Sequence, residues 1–385
     1  MKDQRRGAPA QDAGAASRRL AIEVLVRIEE GGAYANLVLP GALDRSHLEG
    51  ADRRLVTELV YGTTRQRRAV DAAVDPYLLR PVDVPTRAAL RVGAYQLLVL
   101  GTPPHAAVGA TVGAVHGPAR KVVNAVLRRV AEAGAPGGLD EATRLSYPDW
   151  VVERLVADLG HDDAIAALEA MNQPPRTTER DDGYVQDLAS QWVAELVGAR
   201  PGELVADLAA APGGKATAMA GTGARVVAVD LHRSRARLVE QNRRRLGLDQ
   251  VLPVVADGAR PPLRPGRFDR VLVDAPCSGL GSLRRRPDAR WRIGHDALDR
   301  LVPLQRRLLL AGLDLLVPGG VLTYSVCTLT SAETVGIDEW LAIDLAGFEA
   351  LAPPGEPWRP WGRGALLLPQ TAGTDAMFVL QLTRR

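Results

Sequence analysis

The residues best suited to chemistry in this 385-residue chain are its two cysteines, Cys277 and Cys327. Each follows a short apolar run typical of a buried β-strand, residues 268–274 and 321–325. A free cysteine most often serves as a small packing residue. Two thiols that follow neighbouring strands of one sheet would instead meet at the same edge, where ligands of such sheets bind. We therefore expect the two thiols to act on one substrate.

Asp274 ends the first of these runs and adds a carboxyl group to the two thiols. A thiolate that adds to carbon 6 of a pyrimidine turns carbon 5 into an enamine carbon, which can attack the methyl group of a sulfonium donor. The carboxyl group would stabilise charge at N3, and a second thiolate would remove the proton from carbon 5. The three side chains predict methyl transfer to carbon 5 of a pyrimidine. Their spacing does not decide which cysteine adds to the ring.

Further acidic residues follow the earlier strand-like runs, at Asp207, Asp230 and Asp257. Asp230 lies where a carboxylate would bind ribose hydroxyls, and Asp257 lies where one would meet an exocyclic amine of adenine. Small residues that allow a ligand to approach the backbone follow Asp207 and lead into a lysine. They are Ala209, Ala210, Ala211, Pro212, Gly213, Gly214 and Lys215. The set suits S-adenosylmethionine, because a dinucleotide would need a G-x-G-x-x-G loop that this sequence does not contain.

The chain shows two different sequence patterns, one before the candidate site residues and one that contains them. Before about residue 135, apolar residues recur at helical spacing, as in Ala21, Val24, Leu25 and Ile28, which predicts an all-α bundle. From Leu204 onward, strand-like runs alternate with helical ones, which predicts an α/β Rossmann-like domain with a doubly wound, largely parallel sheet. We expect a disordered tail at 1–16, a helical domain at 17–135, a linker and helical segment at 136–182, and the α/β domain at 183–385.

The composition is that of a globular protein, with 46% hydrophobic and 24% charged residues. The formal charge of +3 is only weak evidence for a polyanionic partner. No apolar run suggests a membrane span, and no secretory signal is recognisable, so we expect a cytoplasmic protein. The two cysteines and six histidines lack metal-ligand spacing, and no metal site is expected. Lysine is rare in this arginine-rich chain, which draws attention to Lys215.

These motifs resemble the RsmB (Sun/Fmu) branch of the RNA cytosine-C5 methyltransferases. The matching segments of the second half are residues 207–215, 274–279 and 325–328, together with the extension to Trp291. The first half resembles the NusB-like helical RNA-binding domain of that family. The matching stretches there are residues 52–65, 93–97, 103–107 and 123–128. The resemblance covers about residues 17–385.

The resemblance implies an S-adenosylmethionine-dependent enzyme that methylates carbon 5 of a cytosine in 16S ribosomal RNA, at cytosine 967 in this family. We expect the protein to be a monomer. It implies that Cys327 is the nucleophile, that Cys277 assists product release, and that Asp274 contacts N3. Lys215 matches the lysine of the family's Pro-Gly-Gly-Lys motif. The residues implied around the cofactor are 209–215, Asp230, Asp257 and Asp274.

A basic and aromatic stretch follows the Pro-Cys motif directly. Arginines there could bind phosphates, and a tryptophan beside them could stack on an extruded base. The residues that we expect to contact RNA are Arg284, Arg285, Arg286, Arg290 and Trp291. The alternative for such a cluster is a solvated charged surface without a ligand.

The sequence departs from the family in two places. Val326 precedes Cys327 where the family usually has threonine. Residues 174–180 run almost directly into the Val-Gln-Asp segment at 185–187, whereas relatives carry an RNA-contacting subdomain of several dozen residues between the two. We therefore expect this subdomain to be reduced, which affects RNA binding more than the chemistry.

Three other functions compete with the leading one. The same chemistry could act on transfer RNA or on another ribosomal site. The chain could also be a catalytically inactive NusB-like RNA-binding or assembly factor, although the intact Cys277, Cys327 and Asp274 argue against that reading. A dehydrogenase is disfavoured by the cofactor loop.

Overall fold

The computed structural model of the chain describes residues 10–344 and 347–385. These residues form two compact units. The helical unit comprises the chain up to Val152 together with Arg286–Arg292, and the α/β unit comprises Glu153–Arg285 and Ile293–Arg385. The helical unit therefore extends beyond the expected boundary at residue 135. It does so because Arg68 donates hydrogen bonds to the Ser146 hydroxyl and to the Tyr147 carbonyl, each at 2.9 Å.

The expectation of an all-helical first half is confirmed for the described residues. The helices are α1 Ala10–Glu30, α2 Ala35–Asp44, α3 Gly50–Arg65, α4 Arg67–Val74, α5 Val84–Leu98, α6 Pro104–Ala114, α7 Ala119–Ala133, α8 Glu141–Leu145 and α9 Asp149–Leu159. Because α1 begins at Ala10, residues 10–16 are helical rather than part of a disordered tail. The rest of that expected tail lies outside the described residues.

The core of the helical unit forms where α1 and α5 pack against α3, α6 and α7. Leu59, Leu90 and Leu127 are fully buried there, and burial of each such side chain contributes about 1.5–3 kcal/mol. Glycine allows two of these helices to approach closely. A Cβ atom at Gly93 of α5 would lie 2.2 Å from the Cδ1 atom of Leu127, so only glycine fits this crossing without rearrangement.

The second half contains the predicted mixture of strands and helices. The strands are β1 Leu204–Asp207, β2 Arg225–Asp230, β3 Val251–Val255, β4 Phe268–Asp274, β5 Leu316–Val326, β6 Phe348–Ala350, β7 Arg359–Trp361, β8 Gly364–Leu367 and β9 Met377–Arg384. The remaining helices are α10 His161–Met171, α11 Leu188–Val197, α12 Gly214–Gly221, α13 Arg233–Leu246, α14 Ala297–Leu315, α15 Val335–Asp344 and α16 Pro369–Ala372. Within the described residues, no helix is both long enough and apolar enough to span a membrane.

The strands form one sheet in the order β3-β2-β1-β4-β5-β9-β8-β7, with β6 paired to β9. The first five strands of this order are parallel to one another. The sixth, β9, runs antiparallel to β5. The connections leave β1 and β4 in opposite directions along the sheet. Such a switch point opens a crevice beyond the carboxyl ends of the strands, which is where ligands bind in sheets of this kind.

The segment 174–187 is short, as expected for a reduced subdomain. A single antiparallel bridge between Glu179 and Val185 closes it. Arg180 donates hydrogen bonds to the Gly214 carbonyl at 2.5 Å and to the Thr217 hydroxyl at 3.2 Å. Its guanidinium also stacks on the Tyr184 ring, 4.8 Å from the ring centre. The segment is thus a compact hairpin fixed to the first turn of α12.

We expect Gly62→Ala to lower the free energy of unfolding by about 1–3 kcal/mol, because a new Cβ atom would overpack the core. In α3 that atom would lie 2.1 Å from the Tyr95 hydroxyl oxygen. Gly109→Ala in α6 is the matched control, since a Cβ atom there meets no atom within 4 Å. It should raise the free energy of unfolding by about 0.5–1 kcal/mol, as alanine normally does inside a helix. Urea unfolding measures both variants, and equal effects would contradict the close approach of α3 and α5.

Candidate active site

The structure brings the two cysteines together. Cys277 lies three residues beyond the end of β4, and Cys327 directly follows β5, whose neighbour in the sheet is β4. Their sulfur atoms are 3.5 Å apart, and both side chains are partly exposed. The two thiols can therefore reach one substrate from adjacent strand ends.

Different charges surround the two thiols. The hydrogen bond with Cys277 lowers the pKa of Cys327 in spite of desolvation, and the positive charge of Lys215 also lowers it. The negative charges of Asp274 and Asp375 oppose this shift. The same hydrogen bond raises the pKa of Cys277 well above its usual value, together with burial and the carboxylate of Glu333. The two opposite pKa shifts favour the thiolate form at Cys327 and the protonated form at Cys277.

Asp274, the last residue of β4, accepts two hydrogen bonds. Its Oδ2 accepts from the Lys215 ammonium at 2.6 Å, and its Oδ1 accepts from the Ser325 hydroxyl at 2.7 Å. Lys215 is nearly buried in the first turn of α12. Burial alone would lower the pKa of Lys215, but the ion pair with Asp274 outweighs it and raises that pKa. The lysine therefore stays charged between the Asp274 carboxylate and the Cys327 thiol.

Of the other strand-end carboxylates, Asp230 is buried and Asp257 is exposed. Asp230 accepts from the backbone N–H groups of His232 at 3.0 Å and Ala211 at 3.2 Å. Asp257 accepts from the backbone of Ala259 at 2.9 Å. Asp230 thus fixes the loop of small residues that follows β1, while Asp257 closes a turn beside it.

The loop after β1 is shaped for a ligand that approaches the backbone. Gly213 has a φ of +105°, and a Cβ atom there would lie 3.1 Å from the Val239 backbone. Asp207 at the start of this loop is almost completely buried. Burial raises its pKa to about 7, and the negative charge of Asp274 contributes. A crevice with several carboxylates, two of them buried, fits a positively charged ligand such as a sulfonium.

The structure contradicts two of the expected RNA contacts. Arg284 is buried and donates to the carbonyl groups of Thr374 at 3.0 Å and Pro174 at 3.3 Å. Arg290 is completely buried and lies 3.8 Å from the centre of the Tyr147 ring. The prediction that these two side chains contact RNA is therefore wrong, because protein groups occupy the surfaces that a phosphate would need.

The other three residues of that stretch keep some exposure. Arg285 forms an ion pair with Asp375, and 41% of its side chain is exposed. Arg286 is exposed, and Trp291 is partly exposed. The indole N–H of Trp291 donates to the Thr64 carbonyl at 2.9 Å, and the ring lines a cavity of about 390 Å³ within the helical unit. RNA contact by these residues remains a prediction.

The sequence patterns did not identify Ser325 or Glu333 as parts of the site. Ser325 is the partner of Asp274 across the β4–β5 pair, a relation that the strand register could have revealed. Glu333 lies six residues after Cys327 and is completely buried. A lone glutamate among threonines gives no periodic signal, and its contacts lie up to 55 residues away along the chain.

Comparison with known families agrees with both halves of the chain. Residues 15–132 match the NusB family model. Residues 194–383 match the model described as 16S rRNA methyltransferase RsmB/F.

Several proteins are similar over most of the chain. The ribosomal RNA small subunit methyltransferase B of Thermus thermophilus is 38% identical, over 83% of this chain and 85% of that protein. Rv1407 of Mycobacterium tuberculosis, whose assignment as a methyltransferase is provisional, is 36% identical over 96% of each chain. The crystal structure of PH0851 covers 98% of this chain and all of its own with a TM-score of 0.78, and at 23% identity it supports the fold alone.

The alignment with Rv1407 also bears on the short hairpin. It spans 455 positions, whereas 96% of this chain is about 370 residues. The matched span of that relative therefore holds about 85 positions that this chain lacks. A deficit of this size is large enough for a subdomain of several dozen residues, and its loss at residues 174–187 stays a prediction.

We expect the buried Asp207 to make stability depend on pH. Its pKa is about 7 in the folded chain and about 3.9 in an unfolded one. Between these values the folded state holds a proton that the unfolded state releases, so the free energy of unfolding falls as pH rises from about 4 to about 7. Asp207→Asn removes this loss and should be more stable than wild type at pH 8 by about 1–4 kcal/mol.

Urea unfolding at a series of pH values measures this difference, which should shrink towards pH 4. Asp257→Asn, which removes an exposed carboxylate at the same sheet edge, is the control and should keep the pH dependence of wild type. A constant difference between wild type and Asp207→Asn across the whole range would contradict the raised pKa.

Proposed function

Because the chain belongs to the RsmB/RsmF family of 16S rRNA methyltransferases, we propose that it transfers the methyl group of S-adenosylmethionine to carbon 5 of a cytosine in 16S rRNA. The cytosine proposed is the one that the family resemblance implies, cytosine 967. The observation that carries the proposal is the 3.5 Å contact between the two cysteine sulfur atoms, beside the Asp274 carboxylate. Methylation of an amino group would need no thiol, whereas methylation of carbon 5 uses both.

In this reaction Cys327 is the nucleophile. Its pKa is lowered by the hydrogen bond from Cys277 and by Lys215, which favours the thiolate. The thiolate forms a bond to carbon 6 of the cytosine, and carbon 5 then takes the methyl group. Bound S-adenosylmethionine would supply that methyl group on an electrophilic sulfonium sulfur, which would leave as a neutral thioether when its bond to the methyl carbon breaks.

Cys277 completes the cycle as the base. The Cys277 thiol first loses its own proton to solvent. After methyl transfer its thiolate removes the proton from carbon 5, and the bond between Cys327 and carbon 6 breaks to release the product. Asp274 orients the ring through N3. N3 takes up a proton as the thiolate adds to the ring, and the N3–H then donates to the carboxylate. The carboxylate can accept this bond while bonded to Lys215 and Ser325, because it has about four acceptor positions and 31% of the Asp274 side chain is exposed.

The donor binds along the strand ends. Residues 209–215 form the close backbone approach, and Asp230 accepts hydrogen bonds from the ribose hydroxyls. Asp257 meets the amino group of adenine. The exposed carboxylate of Asp257 and the constrained loop at Gly213 support this arrangement.

The short hairpin at 174–187 favours one alternative, which is the same chemistry on transfer RNA or on another ribosomal site. Arg180 is bonded to the Gly214 carbonyl and to the Thr217 hydroxyl, so it is not a free RNA contact. A chain without the larger subdomain could choose a different cytosine. Mapping 5-methylcytosine in 16S rRNA, 30S subunits and transfer RNA incubated with the enzyme distinguishes these substrates.

We expect the two cysteine variants to fail at different steps. Cys327→Ala cannot form the bond to carbon 6 and should give neither a covalent adduct nor methylated RNA. Cys277→Ala can form that bond but lacks the group that removes the proton from carbon 5, so it should accumulate a covalent protein–RNA adduct. Denaturing gels with labelled 16S rRNA and labelled S-adenosylmethionine measure both products.

The reverse pattern would exchange the roles of the two thiols. A wild-type protein that binds 16S rRNA but never transfers a methyl group would contradict the proposal and favour an assembly factor. Circular dichroism of each variant shows whether a lost activity reflects a lost fold.

We also expect Arg286 to contact an RNA phosphate, since its side chain is exposed. Arg286→Gln should weaken rRNA binding and reduce the slope of log affinity against log salt by about 0.7–0.9, the share of one phosphate. The choice of cytosine should not change, because phosphate contacts carry no sequence information. Arg300→Gln is the control, because Arg300 is exposed and paired with Asp296. An unchanged salt slope for Arg286→Gln would contradict the contact.

A further inference from the structure

Glu333 is a completely buried carboxylate at which the two cysteine-bearing loops converge. These thiol loops are residues 275–279, which contain Cys277, and residues 327–333, which contain Cys327. Oε1 of Glu333 accepts from the Ser278 backbone N–H at 2.8 Å and from the Gln305 amide at 2.9 Å. Oε2 accepts from the Ser278 hydroxyl at 2.5 Å and from the Thr330 hydroxyl at 2.9 Å. One carboxylate thus holds the residue after Cys277 by both its backbone and its side chain.

A second layer of hydrogen bonds extends this clamp. The Gln305 amide also donates to the Pro276 carbonyl at 3.0 Å, so the residue before Cys277 is fixed as well. The Ser278 hydroxyl lies 2.7 Å from the Thr328 hydroxyl, which directly follows Cys327. The Tyr324 hydroxyl donates to the Glu333 carbonyl at 2.9 Å. The network therefore contacts the chain on both sides of Cys277 and immediately after Cys327.

A buried network of this kind is rigid when every member has a partner, and it is costly when one is removed. Removal of Glu333 would leave four donors without their acceptor. It would also remove a negative charge that faces Cys277 and Tyr324 and that raises the pKa of both. The other charged side chains that influence the thiols, Lys215, Asp274 and Asp375, act on Cys327.

We propose that Glu333 is a positioning residue that holds the two thiol loops together, and that its charge helps to keep Cys277 protonated in the free protein, while Cys327 is the reactive thiolate. The consequence for catalysis rests on the proposed function. The consequence for thiol reactivity does not, because it can be measured on the protein without RNA or methyl donor.

The test is partial alkylation of the full chain with iodoacetamide, in which a thiolate sulfur bonds to the methylene carbon and displaces iodide. Peptide mass spectrometry then gives the ratio of label on Cys327 to label on Cys277. Wild type should label mainly at Cys327. Glu333→Gln keeps the shape but removes the charge and places an amide nitrogen against N–H and O–H donors. It should lower the ratio at least fivefold.

Asp338→Asn is the matched control. Asp338 is also a nearly buried carboxylate of the α/β unit, but its partner is the Arg363 guanidinium at 2.7 Å. The ratio of label on Cys327 to label on Cys277 in Asp338→Asn should stay within twofold of the wild-type ratio. A folded Glu333→Gln variant that keeps the wild-type ratio would overturn the proposal.

Thr330→Val provides a second test of the proposal if Glu333→Gln does not fold. It removes one donor to Oε2 but leaves the negative charge, so the labelling ratio should equal or exceed that of wild type. A ratio below that of wild type would overturn the proposal.

A methyl-transfer assay distinguishes a failure of this inference from a failure of the proposed function. With an rRNA substrate, Glu333→Gln should lower kcat about 10-fold to 100-fold and change the KM for RNA less than twofold, since the RNA surface is untouched. An equal change in KM and kcat would contradict a positioning role. If wild type methylates no RNA, the proposed function fails, while the alkylation ratios still test Glu333.

Discussion

The chemistry at this site depends on the register between two parallel strands. Asp274 of β4 pairs with Ser325 of β5, and each strand then delivers a cysteine within three residues. Because side chains alternate between the two faces of a strand, a shift by one residue would turn one of the thiols away from the other. The 3.5 Å contact between the sulfur atoms is thus a property of the sheet as much as of the two loops.

Charge is arranged asymmetrically around this contact. The charges of Lys215, Asp274 and Asp375 act on Cys327, whereas the charge of Glu333 acts on Cys277. Burial strengthens both influences, because a low local dielectric screens charges less than water does. Two chemically identical side chains thereby acquire different proton affinities before any substrate arrives.

The sequence predicted the parts of the site that follow from chain connectivity. Parallel strands end at one edge, so Asp207, Asp230 and Asp274 and the two cysteines could be assigned to that edge from the pattern alone. Whether an arginine side chain is buried or exposed could not be predicted in this way. Arg290 is buried because the carbonyl groups of Arg65 and Ser146, 225 and 144 residues away along the chain, accept its hydrogen bonds. The sequence pattern did not identify Glu333 for the same reason, because most of its hydrogen-bond partners lie far away along the chain.

The helical unit is completed by seven residues, Arg286–Arg292, that belong in sequence to the catalytic half. Arg290 lies against Tyr147 there, and the Trp291 indole reaches Thr64. A gene that encoded only the first 152 residues would therefore produce a bundle with a gap where this stretch inserts. Recombination that exchanges the helical half between relatives must accordingly conserve a second, internal piece of sequence, so the two halves are expected to be inherited together.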